Sequence, residues 1–181
     1  MNDHALNYVP LFGLLLCAVA TDVRARRIPN WLTFSLILAG CAQSMLPVAT
    51  VGVRDSLLGF GTGFGLTFIL FVLGAVGGGD VKLLAGAGAW LGPGPTLAVF
   101  AVEAIIGAGI VIAQSLWQRR LTTLVRNSAV LAINLVHVGD VGVEHVAATG
   151  RSSRSVERPL PYAVPVFFAA MLVVIFKATH G

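Results

Sequence analysis

The chain has 181 residues, of which 56% are hydrophobic and 11% charged, with a mean hydropathy of +0.87. A soluble domain usually carries about 25% charged residues, so too little polar surface is available here to cover a globule in water. A soluble enzyme and a disordered chain are both excluded. The net charge of +4 does not mark a nucleic-acid partner, because the charges cluster between apolar runs. Cys17 and Cys41 lie inside such runs, so neither a zinc module nor a disulfide framework is indicated.

A bilayer core of about 30 Å takes roughly 20 helical residues. Ala5 to Thr21 forms the first apolar run, closed by Asp22; with no basic residue ahead of it, it reads as a membrane span rather than a cleaved signal. Trp31 to Val53 is the second, interrupted by Pro47, and Leu57 to Val76 is the third, ending at Gly77-Gly78-Gly79. Asp80 opens a run that Pro93 and Pro95 divide into a short fourth helix, Val81 to Leu91, and a fifth from about Thr96 to Trp117. Leu160 to Ala178 is the sixth. The expected fold is therefore all-α: one polytopic bundle of about six transmembrane helices, a single domain over residues 1–181.

Loops rich in Lys and Arg stay in the cytoplasm. One set of loops holds ten of the twelve, including Arg24, Arg26, Arg27 and Lys82, and the other only Arg54 and Lys177. Both termini are thus expected outside the cytoplasm. Residues 118–158 form a cytoplasmic loop in which Leu121, Leu124, Val125, Ser128, Ala132, Leu135 and Val136 recur at helical spacing. An amphipathic helix on the membrane surface fits that pattern, with a seventh span as the rival. Arg151 to Arg158 reads as a tether. In the third span, glycines 59, 61, 63 and 65 make two overlapping small-residue pairs suited to close helix packing.

Acids near lipid are costly and need a reason. Asp22 and Asp80 are two crossings apart and so fall on the same, cytoplasmic side. Each has a bland reading: Asp22 as a solvated helix-end charge beside Arg24, Asp80 as the N-cap of the fourth helix. Two features favour a site instead. Gly77 to Gly79 lets the backbone bend and approach closely, and irregular backbone at membrane depth needs protein or a wet cavity around it. The fourth helix, at about 11 residues or roughly 16 Å, suits a start sunk below the membrane surface. Two close carboxylates share a proton. The ionised one takes a proton from water, which attacks an amide carbonyl; the protonated one polarises that carbonyl and helps protonate the leaving amine. No metal or cofactor is needed. His4, His137, His145 and His180 lack ligand spacing, so no metal site is assigned.

Asp22-Val-Arg-Ala-Arg-Arg-Ile-Pro-Asn30 after the first span, with Gly77-Gly-Gly-Asp-Val-Lys-Leu83 after the third, resembles the type IV prepilin peptidases, GxGD aspartic proteases of the membrane. The small size is similar to the Tad/Flp branch, of the TadV or CpaA type, and Leu160-Pro-Tyr-Ala-Val-Pro165 resembles the start of that branch's final span. The resemblance implies Asp22 and Asp80 as the catalytic pair. Gly77 and Gly79 would be the motif glycines, with Lys82, Pro29 and Asn30 as supporting motif residues. It implies a multi-pass protein of the bacterial inner membrane that removes the short leader of a Flp-type prepilin at the cytoplasmic face. Its expected partners are the prepilin, membrane lipid and pilus assembly machinery, with no nucleic acid. Larger members carry a cysteine-rich, zinc-binding segment between the first two spans, whereas about nine residues lie there here, without such cysteines. N-methylation of the product is not implied. Asp22 and Asp80 are the only acids expected near the site. Two other readings stand beside this one: a small transporter using Glu103, otherwise a hydrogen-bond partner to another helix, or a non-catalytic subunit of a pilus or secretion assembly.

Overall fold

In a computed structural model, residues 7–118 and 161–180 are described, together with Thr122, Arg126 and Ala148. They form six helices: α1 (Val9–Ala25), α2 (Asn30–Gln43), α3 (Val53–Val72), α4 (Gly78–Leu91), α5 (Pro93–Trp117) and α6 (Ala163–His180). Among the described residues there is no strand. The amphipathic pattern at 121–136 and the tether at 151–158 fall outside the described residues, apart from Thr122 and Arg126.

Several ends differ from those expected. Helix α1 does not stop at Thr21: Asp22 lies in its last turn, and the helix closes when Arg26 turns left-handed at φ 51°, its N–H bonding the Asp22 carbonyl. A charge ends an apolar run without ending the backbone ladder. Pro29, extended at ψ 139°, then starts α2 and accepts the Leu32 and Thr33 N–H groups. Helix α2 ends near Gln43 rather than Val53, giving 14 residues, about 21 Å at 1.5 Å per residue. The Ser44 hydroxyl bonds the Cys41 carbonyl there, and Gln43 Oε1 receives the Thr50 N–H, so the chain turns before Pro47.

Helix α4 is the centre. Val81 and every residue from Leu83 to Leu91 are buried, the pattern of a helix surrounded on all sides. It is packed by small residues. A Cβ on Gly59 of α3 would run into the Gly88 carbonyl of α4, and one on Gly63 would meet the Leu84 carbonyl at 2.5 Å. Gly61 and Gly65 have nothing within 4 Å. Of the two glycine pairs expected to pack, one does so and the other faces open space. On the opposite side, Gly86 takes Leu36 of α2, and Gly40 of α2 takes Ala89 and Trp90. The Trp90 indole N–H donates to the Leu36 carbonyl at 3.1 Å.

Helix α6 lies between α1 and α5 and packs differently. Phe167 meets Phe12 of α1 edge-on, with centroids 6.0 Å apart, and Ala163, Val166, Ala169 and Ala170 join the core. Among the described residues two helices, α3 and α5, are long and apolar enough to cross a membrane. Their outward faces carry Leu57, Phe64, Phe68, Ile69, Ile105 and Ile112, all exposed. Trp31 and Trp117 are also exposed.

Candidate active site

One candidate carboxylate lies at the end of α1 and reaches the start of α6; the other lies in the first turn of α4. Asp22 sits in the last turn of α1, only 7% exposed. Its Oδ2 accepts the backbone N–H of Ala163 at 3.0 Å, the first residue of α6. The first N–H groups of a helix have no partner within it, and the helix dipole favours negative charge there. Pro161 and Pro165 flank the position without an N–H of their own, so Ala163 is the natural donor.

Asp80 is the third residue of α4, not its N-cap. The cap is Gly77, and Asp80 Oδ2 reaches back to accept the Gly77 N–H at 2.8 Å. That is the carboxylate half of a capping box, the other half being absent because glycine has no side chain. Asp80 is half-buried.

The triple glycine works by space rather than by bending. Gly77 has an ordinary φ of −89°, and the left-handed turn falls on Gly74, at φ 76°. A Cβ on Gly77 would stand 3.3 Å from Asp80 Oδ2; one on Gly79 would rest on Ile28 at 3.5 Å. Gly79 thus presents bare backbone to the residue before Pro29.

The two sequence blocks meet. Lys82 Nζ donates to Asn30 Oδ1 at 2.9 Å and lies over the Phe34 ring, 5.3 Å from its centre. Asp22 and Asp80 stand within electrostatic reach of one another. The seven residues named from the two motifs lie at the end of α1, at the turn into α2 and at the start of α4.

Glu103 is a further member, and the expectation of only two acids at this place does not hold. It is 4% exposed, inside α5, and within electrostatic reach of Asp80. The Tyr162 hydroxyl donates to Glu103 Oε1 at 2.6 Å. This tie to the segment that starts α6 is the interhelical partnership expected as Glu103's simpler role. The hairpin register could have placed Glu103 here: Asp80 and Glu103 stand twelve residues before and eleven after Gly92, so α5 climbs back to the level from which α4 descends. Tyr162 was within the motif at 160–165, but nothing in the pattern assigned it a partner. Among the described residues, no three His, Cys, Asp or Glu side chains are placed to hold a metal ion.

A bundle of apolar helices that gathers acidic side chains beside a glycine-lined helix start is an arrangement suited to acid–base chemistry. The family model described as "Type IV leader peptidase family" matches residues 9–112, and the chain belongs to that family. It is 28% identical over 136 residues to the Prepilin leader peptidase/N-methyltransferase of Escherichia coli (strain K12). That match covers 71% of this chain and 60% of the relative, so the chain spans less than two thirds of the curated protein it matches. No solved structure matches.

Proposed function

We propose that this chain is a membrane aspartic endopeptidase that removes the leader of a Flp-type prepilin at the cytoplasmic face of the bacterial inner membrane. Asp22 and Asp80 are its catalytic pair. One carboxylate takes a proton from water as the oxygen attacks the scissile carbonyl carbon. The other, protonated, donates a hydrogen bond to the carbonyl oxygen. As the C–N bond breaks, the leaving nitrogen takes a proton from the pair, which returns to its starting state. Asn30, Pro29, Lys82, Gly77 and Gly79 hold the α1–α2 turn against the start of α4.

The observation that carries the reading is the Lys82–Asn30 contact, which joins the sequence block that holds Asp22 to the one that holds Asp80, in a chain of the leader peptidase family. The six helices are taken as six spans with both termini outside, in keeping with the distribution of Lys and Arg. Exposed apolar side chains along α3 and α5 suit lipid contact. The substrate's apolar helix would lie against the bundle with its basic leader in the cytoplasm, bringing the scissile bond to the depth of the carboxylates.

The test is leader removal from a Flp-type prepilin, followed by gel shift with protein in detergent or liposomes. Wild type should cleave; Asp22→Asn and Asp80→Asn should not. Cleavage surviving either substitution overturns the two-aspartate mechanism. A transporter would depend on Glu103 instead, and a scaffold would tolerate both changes.

A further inference from the structure

A buried carboxylate in an apolar helix is expensive unless its oxygens are matched. Glu103 is nearly inaccessible, and its Oε2 has no hydrogen-bond partner among the described residues. Among the described residues its side chain bonds Tyr162 alone, and a leucine would fill the volume at lower cost. The bond therefore serves what it holds. Tyr162 immediately precedes Ala163, whose N–H holds the Asp22 carboxylate. Three helices are joined in this way: α5 through Glu103, the start of α6 through Tyr162 and Ala163, and α1 through Asp22. The two bonds differ in reach: one fixes a side chain, the next a backbone amide one residue on.

We propose that Glu103 and Tyr162 are positioning residues: their hydrogen bond fixes the start of α6, and so the Ala163 amide that orients the Asp22 carboxylate. This rests on Asp22 being catalytic. The bond acts on the orientation of Asp22 and not on the leader or the apolar helix of the substrate. Its loss therefore lowers turnover and leaves substrate affinity alone. What matters at position 103 is an acceptor oxygen for the tyrosine, not a negative charge.

The experiment measures kcat and KM for prepilin cleavage by wild type, Tyr162→Phe, Glu103→Gln, Glu103→Leu and Asp22→Asn, with thermal unfolding of each in detergent. Tyr162→Phe keeps the ring and removes only the donor, so it carries the test even where Glu103→Leu fails to fold. Its kcat should fall about tenfold, the scale of one hydrogen bond, with KM unchanged. Glu103→Gln, which keeps an acceptor, should retain most of the wild-type kcat. Wild-type kcat in Tyr162→Phe overturns the proposal, as does a Glu103→Gln loss as large as that of Glu103→Leu. A rise in KM with kcat unchanged also overturns it, by moving the pair to substrate binding. Undiminished cleavage by Asp22→Asn removes the catalytic reading itself, whatever the other variants do.

Discussion

Lys82 Nζ lies 2.9 Å from Asn30 Oδ1, although 52 residues separate them. The contact pins the start of α2, just beyond the helix end that carries Asp22, to the first turn or so of α4, which carries Asp80. With the cation also over the Phe34 ring, the lysine stem has packing as well as charge to hold it. Asn30→Ala and Lys82→Met should each lower kcat/KM by about threefold to tenfold, the range of one exposed hydrogen bond. The double variant should be little worse than either single, because both remove the same bond. Additive losses in that cycle would show that the two residues act separately.

Gly77 and Gly79 look equivalent in the motif but are not equivalent in space. At Gly77 an added methyl would press on Asp80 Oδ2 at 3.3 Å, whereas at Gly79 it would make an ordinary contact with Ile28 at 3.5 Å. Gly77→Ala should therefore reduce kcat several times more than Gly79→Ala, at similar thermal stability. The comparison is read from steady-state cleavage and unfolding in the same detergent.

The glycines of α3 divide in the same manner. Gly59→Ala forces a methyl into the α4 backbone at Gly88, and overpacking of that kind costs about 1–3 kcal/mol or more. Gly61→Ala meets nothing within 4 Å and should leave the unfolding temperature unchanged or slightly raised, since alanine is the better helix former. Equal destabilisation of the two variants would contradict the packing of α3 on α4.

Trp90 offers a control away from the carboxylates. It is 3% exposed and its indole donates to the Leu36 carbonyl. Trp90→Phe should cost about 1–3 kcal/mol of stability through the lost bond and volume. Activity per folded molecule should stay near wild type. A kcat loss without a loss of stability would place Trp90 in the working site instead.

Much of this arrangement could be read from the sequence, because apolar runs and charge placement are local signals. The helix order and the short α4 follow from run lengths. The helix ends were less legible. Asp22 marks where apolar character stops, yet the hydrogen-bond ladder continues to Ala25 until Arg26 and Pro29 break it. Glu103 was visible as an acid in a span, but its partner was not, since a tyrosine 59 residues away carries no local mark of that pairing. The bond from the Ala163 amide to Asp22 was the least legible of all, because a backbone donor has no signature in side-chain type.

The two sides of the cluster differ in compliance. Between α3 and α4 there is backbone against backbone at Gly59 and Gly88, and no rotamer stands between them to change. Helix α1 meets its neighbour α6 through Phe12 and Phe167, rings that can slide and tilt. A substitution that separates α3 from α4 must therefore move backbone, whereas one at Phe12 or Phe167 can be absorbed by side chains alone.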